Sequence, residues 1–179
     1  MMVACIGSYA PDFELPGVDD QVHHLARYLE NFQAVGVIFM SNNCPYVGLY
    51  IERLKQIQAC FQARGFTLIG INPNDATQDS NESFENMKAF ASYHQLNFPY
   101  IRDVTQDVAQ CFGVQKTPEA FLLDKNGVIC YRGQIDDNPD DEQSVQVPYL
   151  RQALAQLLDG KPITTASTEP VGCTIKWRQ

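Results

Sequence analysis

The chain has 179 residues, 45% of them apolar, which is typical of a globular protein with one sizeable core. Its 13 basic and 21 acidic side chains give a net charge of −8, a balance that argues against nonspecific binding to nucleic acid or to an anionic membrane. No cationic start followed by an apolar stretch opens the chain, and the longest apolar run, residues 34–40, is much shorter than the roughly 20 residues of a membrane helix. We therefore expect a soluble, cytoplasmic protein.

The first half of the chain is predicted to begin with a hairpin and to continue with alternating strands and helices. Two brief strands, residues 13–15 and 21–23, flank a turn rich in proline, glycine and aspartate. A continuous run of apolar and β-branched residues at 34–41 predicts a strand buried on both faces. A helix follows from Pro45, at a position that tolerates proline because its missing N–H would be unpaired there.

After Gly65 ends this helix, the second half of the chain is predicted to contain further strands, helices and a second hairpin. The hairpin has Asn126-Gly127 at its centre, a dipeptide typical of tight turns between strands. Thr105 is a candidate cap for one of the helices. In chain order these elements are a strand at 66–71, a helix at 82–93, an extended segment at 100–101, a helix ending at 112, strands at 120–123 and 128–131, and a helix at 148–158.

This order of elements predicts an α/β fold with a mixed central sheet and helices on both faces, since crossover connections come first and an antiparallel hairpin comes last. We find no internal repeat and no dividing linker, so residues 1–163 are predicted to form a single domain. Residues 164–179 have little periodicity and are expected to form an extended tail. Because this tail contains Cys173 and the only tryptophan, Trp177, we expect it to pack on or near the domain.

The six cysteines occur at irregular spacing, without a CxxC pair and without histidines at metal-ligand intervals. A structural zinc site is therefore not expected, and no cofactor or metal is predicted. In a chain of this size without a visible secretion signal, most cysteines are expected to be reduced core residues. The six are Cys5, Cys44, Cys60, Cys111, Cys130 and Cys173.

Cys44 is the strongest candidate for chemistry because it lies between a buried strand and a helix that begins with Pro45. Unpaired N–H groups and the helix dipole stabilise a thiolate at the first turn of a helix. The thiolate is the nucleophilic form, so this position favours attack on a disulfide or a peroxide. Ser41 and Asn43, just before the cysteine, are candidate supporting residues. The alternative is a small buried residue at a strand end.

The segment Thr117-Pro118, preceded by Lys116, stands directly before the strand predicted at 120–123. A proline that enters a strand often marks a forced turn, and a cis peptide bond is one form of such a turn. The alternative is a trans proline that ends the preceding segment.

Cys173 is the candidate partner of Cys44, in the role of a resolving cysteine. A sulfenic acid or a mixed disulfide at Cys44 has to be resolved by a second thiol, which a tail is able to deliver. The alternative is a tail cysteine packed against Trp177. Arg132 is a candidate to pair with an aspartate and to hold the tail, although a solvated charge cluster is the alternative.

Together these motifs resemble the thioredoxin superfamily, and more closely its peroxiredoxin-like AhpC/TSA (redoxin) branch. The resemblance implies a thioredoxin-like fold in which Thr117-Pro118 is a cis-proline loop that faces Cys44. It also implies a thiol-based antioxidant or disulfide oxidoreductase that is recycled by an external thiol such as thioredoxin or glutathione. The residues that carry it are 10–15 (APDFEL), 43–47 (NCPYV), Thr117-Pro118, 131–133 (YRG) with Asp136-Asp137, and 172–177 (GCTIKW).

The sequence differs from both well-known patterns of this superfamily. Val47 occupies the position of the second cysteine of a thioredoxin, and Ser41 occupies a position where relatives often have a cysteine. Val37 occupies the position of the peroxiredoxin proline, and Lys116 is the cation nearest to the place of its arginine. We therefore expect an enzyme with a single cysteine nucleophile, Cys44, and with weak peroxidase activity.

Two other function classes are alternatives to this enzyme. A non-enzymatic thioredoxin-fold module for binding or redox sensing would also lack the CxxC partner and the arginine. A metal-dependent hydrolase that uses Asp75, Asp136 and Asp137 has no supporting residue spacing.

Overall fold

Strands and helices alternate along most of the chain, as the hydrophobic pattern predicts. The computed structural model describes residues 3–179. The helices are α1 (Leu25–Asn31), α2 (Pro45–Phe61), α3 (Phe84–Tyr93), α4 (Asp107–Phe112) and α5 (Tyr149–Leu158). The strands are β1 (Glu14–Pro16), β2 (Val22–His24), β3 (Ala34–Phe39), β4 (Phe66–Asn72), β5 (Tyr100–Arg102), β6 (Lys116–Thr117), β7 (Glu119–Asp124), β8 (Ile129–Gly133) and β9 (Cys173–Thr174).

The central sheet has five strands in the order β5-β4-β3-β7-β8. The pairs β3–β4 and β4–β5 are parallel, whereas β7 runs antiparallel to both β3 and β8. Two small ribbons lie outside it, the hairpin β1–β2 and the antiparallel pair β6–β9. The α/β class and the mixed sheet predicted from the sequence are therefore confirmed, and the N-terminal hairpin is present.

The middle strand β3 explains why its sequence is continuously apolar. Residues that alternate along a strand point to opposite faces of the sheet, and both faces of β3 are covered. Ala34 and Ile38 belong to the core on one face, with Leu54 of α2 and Leu154 of α5. On the other face, Val35, Val37 and Phe39 pack with side chains of α1 and α4, Leu25 and Phe112.

Three local features differ from the prediction. Helix α1 was not predicted; it has only seven residues and no side-chain cap, so its sequence signal is weak. Helix α3 begins at Phe84, not at residue 82, because the Ser83 side chain caps it by accepting a bond of 3.1 Å from the Asn86 N–H. Helix α4 begins at Asp107, since Gln106 adopts a left-handed conformation (φ 67°) in the position where Thr105 was expected to act.

The C-terminal tail is fixed to the rest of the chain on both sides of Cys173. Upstream, the backbone of Arg132 pairs with the tail: its N–H donates to Ala166 O at 3.0 Å, and its carbonyl accepts from Thr168 N–H at 3.0 Å. Downstream, Ile175 is buried and the Lys176 N–H donates to Asn74 Oδ1 at 2.8 Å. The Arg132 position thus holds the tail through its backbone.

Division of the chain into a domain of residues 1–163 and a separate tail stays a prediction, and Met1 and Met2 lie outside the described residues. Within residues 3–179, no helix combines the length and the apolar character that are needed to cross a membrane.

Candidate active site

Cys44 occupies the N-cap position of helix α2, directly after the turn that follows β3. Its backbone is extended (φ −92°, ψ 121°), and Pro45 takes the first helical position, as the sequence predicts. The residue is only 6% exposed and belongs to the core beneath α2. The cysteine therefore meets the positive end of a 17-residue helix while most of its surface is shielded from water.

Cys173 is joined to Cys44 by a disulfide, across a sequence separation of 129 residues and a Cα–Cα distance of 6.0 Å. The candidate pairing of Cys44 with Cys173 is therefore the arrangement observed, and the alternative, a tail cysteine packed against Trp177, is not. The site thus contains two cysteines in bonding contact, where the sequence predicts one nucleophile and only a candidate partner. Of the others, Cys5 and Cys60 are exposed, contrary to the expectation that most cysteines lie in the core.

The loop at Thr117-Pro118 is what places Cys173 opposite Cys44. The Thr117-Pro118 peptide bond is cis, as the family resemblance implies. Thr117 pairs with Cys173 in the ribbon β6–β9, and its carbonyl oxygen lies 3.3 Å from Cys44 Sγ. One residue thus touches both cysteines, the first through its carbonyl and the second through strand pairing.

Gly172 allows this close approach of the tail. A Cβ atom at this position would overlap the carbonyl group of Thr117 and would meet the backbone nitrogen of Pro118. Any side chain larger than hydrogen would therefore push β9 away from β6. The glycine is a requirement of the backbone contact beside the disulfide.

Glu82 organises the loop that leads into Cys44, and the sequence pattern did not identify it. The side chain is 1% exposed, and its carboxylate accepts hydrogen bonds from the Ser41 hydroxyl and from the backbone N–H groups of Asn42 (2.9 Å) and Asn43 (3.0 Å). Asn72 Nδ2 donates to the same carboxylate at 2.8 Å. Ser41 and Asn43, the candidate supporting residues, are thus bonded to an acceptor 39 or more residues away in sequence.

The two predicted cations lie in different places. Lys116 contributes its backbone to the β6–β9 ribbon, opposite Thr174, and Lys176 is the lysine that lines the cavity beside the disulfide. Arg132 turns its side chain to the opposite face of the sheet, over the ring of Phe121. There it donates to Glu119 Oε1 at 3.1 Å and to the backbone carbonyls of Ala4 and Gly113. Its expected aspartate partner is therefore replaced by Glu119, and its guanidinium points away from the cysteines.

The three aspartates that a metal-dependent hydrolase would use each accept hydrogen bonds from neighbouring groups of the fold. Asp136 forms a buried ion pair with Arg53 (2.8 Å), and Asp137 accepts from two backbone N–H groups near the start of α5. Asp75 accepts from the backbone and hydroxyl of Thr77, and these bonds lower the pKa of its carboxyl. Among residues 3–179, no group of three or more His, Cys, Asp and Glu side chains is arranged to hold a metal ion.

A small cavity of about 110 Å³ opens beside the disulfide. Cys44, Cys173 and Glu82 line it together, and so do Asp79 and Lys176. The lining includes charged side chains of both signs, and the cavity has room for a few atoms of a reacting partner. The catalytic roles of the predicted site residues stay a prediction.

Comparison with known proteins matches the sequence profile of the AhpC/TSA family to residues 6–132 of this chain. The chain is 27% identical over 124 residues to the thiol-disulfide oxidoreductase ResA of Geobacillus thermodenitrificans. This alignment covers 69% of the chain and 66% of ResA, just under two thirds of that protein.

Two solved structures are similar over most of their length. A hypothetical protein from Sinorhizobium meliloti 1021 shares 34% identity with a TM-score of 0.91, and the match covers 99% of this chain and 97% of that one. A putative thiol:disulfide interchange protein DsbE from Chlorobium tepidum has a TM-score of 0.65 at 24% identity, covering 88% of this chain and 97% of that one. The second likeness shows a shared thioredoxin-like fold.

Proposed function

The chain belongs to the AhpC/TSA family, and we propose that it is a two-cysteine thiol–disulfide oxidoreductase. The observation that carries this proposal is the Cys44–Cys173 disulfide at the start of α2. The name of ResA, the relative described above, supports the same chemistry. A non-enzymatic module is less favoured, because binding alone does not require two distant cysteines to be brought into bonding contact.

In the reduced protein, Cys44 is the nucleophile, because the N-terminus of α2 stabilises its thiolate. The Cys44 thiolate attacks one sulfur of a substrate disulfide, forms a mixed disulfide and releases the other substrate sulfur as a thiolate. The Cys173 thiolate then attacks Cys44 Sγ, which forms the Cys44–Cys173 bond and releases the second substrate thiolate. An external dithiol, such as thioredoxin, or two molecules of glutathione restore the two protein thiols.

The site is less well suited to peroxides. Reduction of a peroxide needs donors that stabilise the developing negative charge on its oxygens. The Arg132 guanidinium is bound to Glu119 on the other face of the sheet, and the Ser41 hydroxyl donates to Glu82. We therefore propose disulfide exchange as the main activity and expect peroxide reduction to be slow. The cytoplasmic location expected from the sequence stays a prediction.

Trapping of the mixed disulfide tests this assignment. The reduced Cys173→Ser protein should form a stable mixed disulfide at Cys44 with a model disulfide such as oxidised glutathione, and Cys44→Ser should react much more slowly. Cys60→Ser, which changes an exposed cysteine at the C-terminal end of α2, is the control. With an external dithiol such as thioredoxin as the reductant, it should reduce the model disulfide as fast as the wild type. Disulfide reduction at the wild-type rate by both Cys44→Ser and Cys173→Ser would contradict the proposal. The same assay with hydrogen peroxide in place of the disulfide measures the peroxidase rate, which should be lower than the rate of disulfide reduction.

A further inference from the structure

We propose that Glu82 is the residue that positions Cys44 for closure of the disulfide. This inference rests on the proposed function and adds a positioning residue to it. Within residues 3–179, the hydrogen bonds of the Glu82 carboxylate go to the loop before Cys44 and to Asn72, not to either sulfur, so Glu82 acts through that loop. Three consecutive residues of that loop, Ser41, Asn42 and Asn43, donate to its one carboxylate.

Glu82 is itself held firmly. It ends a short 3-10 turn (Ser80–Glu82), and its backbone carbonyl accepts a bond of 2.6 Å from Arg102 Nη1. Asn72, at the end of strand β4, donates to its carboxylate from the other side. A buried carboxylate that accepts several hydrogen bonds has one well-defined position, and the loop attached to it inherits that position.

The positioning matters most in the reduced protein. In the oxidised protein the S–S bond fixes Cys44 relative to Cys173, whatever the loop does. In the reduced protein the two thiols are held near each other only by the surrounding contacts, and Glu82 supplies those on the Cys44 side. A more confined pair has a higher effective concentration of one thiol toward the other, which favours the intramolecular disulfide.

The equilibrium with glutathione measures this confinement. One protein dithiol and one oxidised glutathione give one protein disulfide and two reduced glutathiones, so atoms and electrons balance. We expect Glu82→Gln to lower this equilibrium constant by about tenfold or more, because an amide is unable to accept from all of the donors that face the carboxylate. The full-length protein is equilibrated in glutathione buffers, quenched with acid and alkylated. Mass spectrometry then gives the fractions of the dithiol and disulfide forms.

Glu85→Gln is the matched control, because it makes the same change from carboxylate to amide three residues later. Glu85 is exposed in the first turn of α3 and does not line the cavity beside the disulfide. We expect Glu85→Gln to change the equilibrium constant by less than about twofold.

The outcomes separate the inference from the proposed function. If the wild type forms no Cys44–Cys173 disulfide in these buffers, the proposed function fails. If the wild type forms it and the equilibrium constant of Glu82→Gln matches that of the wild type, or if the constant of Glu85→Gln falls as far as that of Glu82→Gln, the positioning role is overturned. Should Glu82→Gln not fold, Ser41→Ala removes one donor to the same carboxylate, and an unchanged equilibrium constant for that variant overturns the inference.

Discussion

Cys44 combines two environments that act in opposite directions on a sulfur anion. Burial disfavours a thiolate, whereas the N-terminus of α2 favours it, and the neighbouring Thr117 carbonyl offers an acceptor to the protonated thiol. In the disulfide neither influence acts on a charge, because the sulfur is neutral. Cys44 is therefore placed to alternate between a thiol and a disulfide with Cys173, whose Cα lies 6.0 Å from its own.

Glu119 is a second buried carboxyl group, after Glu82, and its protonation makes the stability of the protein depend on pH. Its carboxylate is 1% exposed, and burial raises its pKa above the ordinary value of 4.5, although Gln115 and Arg132 donate to it. The folded protein therefore retains a proton at pH values where the unfolded chain has lost it. In that window the free energy of unfolding falls as the pH rises.

We predict that this pH dependence is lost in Glu119→Gln. The difference in unfolding free energy, wild type minus variant, should decrease as the pH rises from below 4.5 through the folded pKa of Glu119, and should be constant above it. Urea unfolding of both proteins across this pH range measures the difference. A difference that grows with pH would show that the Arg132 ion pair outweighs burial.

At the scale of elements, the ribbon β6–β9 brings the tail to the site. The ribbon is short, with only two residue pairs, Lys116 with Thr174 and Thr117 with Cys173, so its formation depends on a single close backbone contact. Gly172 provides that contact, because its Cα lies against the Thr117 carbonyl with no room for a methyl group.

We predict that Gly172→Ala lowers the free energy of unfolding by about 1–3 kcal/mol, the usual cost of overpacking. It should also speed the alkylation of Cys173 in the reduced protein, because β9 moves away from β6. Gly48→Ala is the control: Gly48 lies within α2 with open space around its Cα, so the alanine should stabilise the protein by up to about 1 kcal/mol. Equal stability and equal alkylation rates in Gly172→Ala and the wild type would contradict the role given to this contact.

Local signals in the sequence predict most of the elements. The apolar run at β3, the proline at the start of α2 and the Asn-Gly turn between β7 and β8 each have a local cause, so the sheet and the position of Cys44 follow from them. Glu82 and the tail have no such signal. Glu82 lies in a polar stretch and acts on residues about 40 positions earlier, and the ribbon β6–β9 joins two-residue strands that no periodicity marks.

At the scale of the whole molecule, the tail is anchored before and after Cys173 by contacts other than the disulfide. Arg132 holds it upstream, and Asn74 and Gln106 hold it downstream; Gln106 Nε2 donates to Lys176 O at 2.9 Å. We therefore expect the tail to stay in place when the S–S bond is broken. The two cysteines should then remain close in the reduced state, which suits repeated opening and closing of one disulfide.

The claim central to this account is that Cys44 and Cys173 form one reversible disulfide within the chain. Peptide mapping under non-reducing conditions, after the reduced protein has reacted with a limited amount of oxidised glutathione, tests it most directly. The account predicts that the peptides of Cys44 and Cys173 are found joined, and that dithiothreitol separates them. Recovery of both cysteines as separate glutathione adducts, or a bond from Cys44 to any other cysteine, would contradict it.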